Sequence, residues 1–190
     1  GGHILNDQTT TNMMSKGTVY HLDGVDDVIT VSDNAKLLNV FANGGFASAK
    51  IYPKTDGAII SKESAGAGWV IYTIGSAGGL TSVVFRRQAA TTDGSWTTAV
   101  ALPENNWSDI KVVYDDSSPT TAPSIYFGGV LQPLATSVSP VGALGSDSGE
   151  DIYIGDNASS TYPFGGSIAE VMLGNFAPTA SEVKDLISGN

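Results

Sequence analysis

The 190-residue chain has 9 Lys plus Arg against 19 Asp plus Glu, a net charge of −10, and no cysteine. Such an acidic surface repels phosphate backbones and anionic lipid, so neither nucleic acid nor a membrane surface is an expected partner. Disulfides and Cys-based metal sites are ruled out. With 41% apolar residues the chain can bury one core, yet no apolar run approaches the roughly 18–20 residues of a membrane helix.

Residues 1–17 are polar and without period, with Ile4, Leu5, Met13 and Met14 as isolated apolar points. Two readings stay open for this stretch: an extended arm that docks on a neighbouring subunit, or a loose tail. A single domain is expected over 18–190. From Thr18 onward, short β-branched and aromatic runs alternate with Gly, Asp, Asn, Ser and Pro clusters. The pattern predicts strands over 18–22, 28–31, 46–52, 58–62, 69–74, 80–85, 97–101, 110–114, 124–127, 130–134, 151–154 and 167–173. Phe127-Gly128-Gly129-Val130 reads as a two-residue hairpin, because Gly-Gly supplies the positive φ values of such turns. Residues 115–123 are expected as an exposed turn and 142–150 as a flexible loop. Near the C-terminus, Thr179 and Glu182 form a capping box. Val183, Leu186 and Ile187 then recur at helical spacing, predicting a short amphipathic helix near 180–188. Short strands this regularly spaced predict an all-β antiparallel sandwich.

Several segments resemble, in order, the laminin-G-like branch of the concanavalin-A-like lectin/glucanase jelly rolls. They are YHLDGVDDVITV (20–31), GFASAKIYP (45–53), IISK (59–62) with GWVIY (68–72), and LPENNW (102–107) with VVYD (112–115). IYFGGVL (125–131), IYIG (152–155), FGGSIAEV (164–171) and APTASEV (177–183) complete the series. The resemblance implies a jelly roll over most of the chain. It also implies that Trp107 packs in the core, and that a structural calcium is shared between the Asp23 turn and an acid on the last strand. That acid is replaced here by Ala169, and simple alternation turns Glu170 to the opposite face.

Clustered carboxylates suit a hard cation, so Asp23, Asp26 and Asp27 are the candidate calcium ligands. The competing reading is an ordinary Asp/Gly turn. The E-x-D-x-x-E strand motif of the glucanase branch is missing, and no paired acids at suitable spacing replace it. His3 and His21 have no Gly-x-Ser-x-Gly elbow to serve, so His21 is expected as an ordinary strand residue. No enzymatic activity is expected. Sugar rings lie on aromatic faces. Trp69 is expected in the core, whereas Trp96, in the loop 91–98, and Tyr162, in 159–164, are the candidate glycan contacts. Their alternative is packing against the sandwich rim.

Together these features point to a non-catalytic module on a virion surface: a bacteriophage capsid decoration or fibre-head protein that recognises glycans and anchors to other virion proteins, or to copies of itself, through residues 1–17. The alternative is an extracellular bacterial carbohydrate-binding or adhesion module.

Overall fold

Alternation of apolar and polar residues over runs of two to ten residues produces strands throughout the described residues. The structure, a computed structural model, describes residues 10–12, 17–76 and 78–183. The strands are β1 (Thr10–Asn12), β2 (Val19–Asp23), β3 (Ile29–Val31), β4 (Gly45–Pro53), β5 (Ala58–Ser64), β6 (Ala67–Ser76), β7 (Leu80–Arg87) and β8 (Gly94–Thr98). They continue as β9 (Leu102–Pro103), β10 (Ser108–Tyr114), β11 (Ser124–Phe127), β12 (Val130–Leu131), β13 (Leu134–Val138), β14 (Ile152–Ile154) and β15 (Gly165–Gly174). One sheet has the order β1-β15-β4-β10-β11-β12, with β2 also on β15. The other runs β13-β8-β7-β6-β5-β14-β3, with β9 on β7. Every pairing is antiparallel, giving the expected sandwich.

The first sheet contributes Ala47, Ala49, Ile51, Ile110, Val112 and Ile168 to the core. The second contributes Ile60, Trp69, Ile71, Phe85 and Trp96. Leu37, Val40 and Phe41 enter from the turn-rich segment between β3 and β4, which carries no strand pattern. The Phe41 ring lies 5.1 Å from Trp69 and 5.4 Å from Phe85, so that segment plugs one end of the core.

Four expectations change. β8 begins at Gly94 rather than at 97, which draws Trp96 into a strand. The run 130–134 divides into β12 and β13 around Gln132 and Pro133, because proline cannot donate to a ladder. The segment 142–150 is tied down. Asp147 is 1% exposed and accepts from Trp69 Nε1 at 2.9 Å, while Lys62, fully buried, donates to the carbonyls of Asp147 at 2.5 Å and Glu150 at 2.7 Å. Finally, Thr10–Asn12 of the expected arm pairs with β15 of its own chain, opposite Met172–Gly174. Ile4, Leu5, Met13 and Met14 lie outside the described residues.

Other expectations hold. Gly128 and Gly129 take φ values of 53° and 79°, with Phe127 facing Val130 across the turn. Residues 180–183 are helical. Thr179 N–H donates to Glu182 Oε2 at 2.7 Å and Glu182 N–H to Thr179 Oγ1 at 3.4 Å, so the capping box is formed. The predicted remainder of that helix lies outside the described residues.

Candidate functional site

Strand alternation sends neighbouring residues of β5, β6 and β7 to opposite faces. Trp69 and Arg87 pair on the inner face. Val70 and Arg86, and Tyr72 and Val84, pair on the outer one. Glu63, Val70, Tyr72 and Arg86 thereby floor a groove on the outside of the second sheet, and Asn157, Thr161 and Tyr162 wall it. Two adjoining hollows, of about 260 Å³ and about 200 Å³, share Glu63, Arg86 and Asn157.

The wall is the segment between β14 and β15, shaped by its own polar side chains. Asp156 Oδ1 accepts from the N–H groups of Asn157 at 2.7 Å and Tyr162 at 3.0 Å. Asn157 Oδ1 accepts from the N–H groups of Ser159 at 3.2 Å and Thr161 at 3.1 Å. Ala58 N–H then donates to the Tyr162 carbonyl at 2.8 Å and fastens the wall to β5. Such side-chain-to-backbone bonds give a loop a fixed shape without a ladder.

Arg86 Nη2 donates to both oxygens of Glu63, at 3.0 and 2.9 Å, and Gln88 Nε2 donates to Glu63 Oε2 at 2.7 Å. Arg86 Nε is buried and has no partner. The Tyr72 and Tyr162 rings meet edge-to-face, 5.4 Å apart at 87°. Burial raises the pKa of both phenols above the ordinary tyrosine value, so both remain protonated donors at neutral pH. Tyr162 is 38% exposed at the rim. The groove thus offers an aromatic face, phenol and guanidinium donors, and the amide and hydroxyl of Asn157 and Thr161. That set suits a polyhydroxylated ligand.

The turn between β2 and β3 brings Asp23, Asp26 and Asp27 together, with one oxygen of each within 4.8 Å of the others, all exposed. Asp23 Oδ1 accepts from Val25 N–H at 2.8 Å and Asp26 N–H at 3.4 Å, and Asp27 Oδ2 accepts from Asp23 N–H at 2.9 Å. Two of the six carboxylate oxygens therefore brace the turn.

The family described as the concanavalin A-like lectin/glucanases superfamily, laminin G type, matches residues 23–184. The chain belongs to this superfamily. Among curated protein sequences none matches it significantly. Solved structures share the fold. A native heptameric SAP-like pentraxin from Limulus polyphemus is 15% identical with TM-score 0.57, covering 87% of this chain and 84% of that one. The binding domain of botulinum neurotoxin serotype G is 16% identical with TM-score 0.63, over 95% of this chain and 44% of that one. Domain 4 of AbnA, an extracellular arabinanase from Geobacillus stearothermophilus, solved in complex with arabinotriose, is 16% identical with TM-score 0.55, over 90% and 87%.

Within this superfamily chain the position taken by Ala169 cannot complete the Asp23 turn. Gly165 is the residue opposite Asp23, and Ala169 lies opposite Val19. Four residues along a strand is about 13 Å. Glu170 also departs from simple alternation. Register slips between Ala169 and Met172, Glu170 takes φ 52°, and its side chain borders the outer hollow beside Lys50, Asp109 and Lys111. This is a β-bulge, in which an extra residue resets the inside–outside phase so that Val171 and Leu173 return to the core.

Of the two candidate aromatics, Tyr162 lies in the groove and Trp96 does not. Trp96 is fully buried and stacked on Phe85 at 5.8 Å, because it faces Phe85 across the β7–β8 pair. Trp107, expected in the core, is 43% exposed and leans on Tyr52 at 5.7 Å on the outside of the first sheet. Trp69 is buried as expected. His21 is an exposed β2 residue whose Nδ1 shares a hydrogen bond with Ser167 Oγ at 2.8 Å. Glu63, Tyr72, Arg86, Gln88, Asn157 and Thr161 escaped the sequence reading. Their signal was the phase of Lys62-Glu63 and Arg86-Arg87 on strands two apart in one sheet, a relation visible only once strand order is known.

Proposed function

We propose that this chain is a non-catalytic glycan-binding module that holds its ligand in the groove of Glu63, Tyr72, Arg86, Asn157 and Tyr162. The supporting observation is the convergence of the half-exposed Tyr162 ring, Tyr72 and the partly exposed Arg86 side chain on one hollow. A sugar ring would lie on the Tyr162 rim while its hydroxyls meet those donors. The complex of the arabinanase domain with arabinotriose favours a sugar ligand for this fold. A non-catalytic role is supported by the acids of the groove. Glu63 is its only carboxylate among the described lining residues, and it is engaged by Arg86 and Gln88. Glycoside hydrolysis ordinarily needs two carboxylates across the bond.

The carrier is extracellular in this reading: a virion surface, or a secreted bacterial protein, as with the arabinanase. Mass analysis of purified particles and of secreted chains separates the two. Asp23, Asp26 and Asp27 would hold a structural calcium, with water completing a shell that normally needs 6–8 oxygens.

A glycan array tests the binding claim. The wild-type protein binds at least one oligosaccharide, and Tyr162→Ala weakens that binding about tenfold or more, roughly 1.4 kcal/mol, at unchanged melting temperature. Retention by Tyr162→Ala together with loss in Trp107→Ala moves the site to the other sheet. Release of reducing ends from a bound polysaccharide contradicts the non-catalytic role.

A further inference from the structure

We infer that the groove selects neutral glycans over acidic ones, and that Glu63 enforces this by cancelling the charge of Arg86. The inference rests on the glycan-binding reading above. Glu63 and Arg86 are the only charged residues among those described that line the two hollows, so the groove's own charge is zero. Both belong to the sheet rather than to a mobile tip. Glu63 pairs with Gly68 and Arg86 with Val70, so the ion pair spans β6 diagonally. Glu63 is 6% exposed at its side chain and accepts three donations, two from Arg86 and one from Gln88.

Only Nη2 of Arg86 faces that carboxylate. Nε is shielded from solvent, while the Arg86 side chain as a whole is 37% exposed and lines the groove. A sugar hydroxyl can accept from the Tyr72 and Tyr162 phenols and donate to Thr161 Oγ1, and it leaves the Glu63 pair intact. A carboxylate or sulfate on the sugar would have to compete with Glu63 for Arg86. It would also enter the field of a chain whose net charge is −10. Removing the Glu63 charge while keeping an oxygen for Arg86 should therefore turn the groove into an anion-selective one.

Titration calorimetry with matched probes tests this. Arabinotriose and maltotriose serve as neutral ligands, and trigalacturonate and 3′-sialyllactose as acidic ones. Wild type is expected to bind at least one neutral probe and to bind both acidic ones at least tenfold more weakly. The neutral affinity should be unchanged between 50 and 500 mM salt, a readout that needs no variant. Glu63→Gln gains at least tenfold for an acidic probe, in a salt-dependent manner, and adding Arg86→Gln in the same chain removes the gain. A wild-type preference for acidic probes that Tyr162→Ala abolishes overturns this inference while leaving the groove as the glycan site. So does a folded Glu63→Gln without any gain. If neither neutral nor acidic probe binds wild type, the glycan-binding reading itself fails.

Discussion

Two pairs of adjacent residues, Lys62-Glu63 on β5 and Arg86-Arg87 on β7, place one charge of each on either face of the same sheet. Inside, Lys62 spends its ammonium on Asp33 Oδ1 at 3.0 Å and two backbone carbonyls. Arg87 gives Nε and Nη2 to Asp116, at 2.9 and 2.8 Å, and Nη1 to the carbonyls of Gly68 and Gly145. Outside, Arg86 meets Glu63 through one nitrogen and keeps Nε unpartnered. The inner cations are buried, make three and four hydrogen bonds, and staple the segment 142–151, so they are not open to a ligand. The outer cation is held in place yet partly exposed, which is the condition of a binding group. Charge alone does not distinguish the two; exposure does.

The largest expected effect is on the inner side. Lys62→Met strands Asp33 and Asp147 without their cation and should cost about 3–5 kcal/mol in denaturant unfolding. Glu63→Gln, at a partly exposed pair, should cost about 1 kcal/mol or less. Equal costs would erase the distinction between the faces. Trp96→Ala should also lose about 3–5 kcal/mol, through a core cavity. Tyr162→Ala should stay within about 1 kcal/mol and act on binding instead.

A third charge sharpens the contrast. Lys111, on the outer face of the first sheet, is buried without a hydrogen-bond partner, 4.7 Å above the Phe46 ring. Burial lowers its pKa from 10.5 to about 8. The unfolded chain therefore keeps the proton that the folded chain releases, and stability should rise with pH from about 8. Above about pH 10 the trend reverses, because burial raises the pKa of Tyr72, Tyr114 and Tyr162 and the unfolded phenols ionise first. Lys111→Met should abolish the rise and stabilise the protein at pH 7 by roughly 3 kcal/mol. A flat profile in wild type between pH 8 and 10 contradicts this. The smallest effect expected is from calcium at the Asp23 turn. Millimolar calcium should raise Tm by about 2–4 °C over EDTA, near 1 kcal/mol. Identical melting curves would leave the three aspartates as a turn alone.

The sandwich was legible because strand runs, the Gly128-Gly129 hairpin and the Thr179 capping box are local signals. The groove was not, since Glu63 and Arg86 meet across an intervening strand. Trp96 misled for a related reason. Residues 91–98 read as a loop, but pairing with β7 begins at Gly94 and sets Trp96 facing inward. The segment 142–150 looks mobile by composition, and contacts distant in sequence, from Lys62, Trp69 and Arg87, explain its fixed course.

Amide chemical-shift mapping with arabinotriose and maltotriose tests the central claim most directly. The account predicts shifts confined to the neighbourhood of Tyr72, Arg86, Asn157 and Tyr162, with Lys62 and Arg87 little moved. Shifts centred on Tyr52 and Trp107, or a spectrum that no oligosaccharide alters, would contradict it.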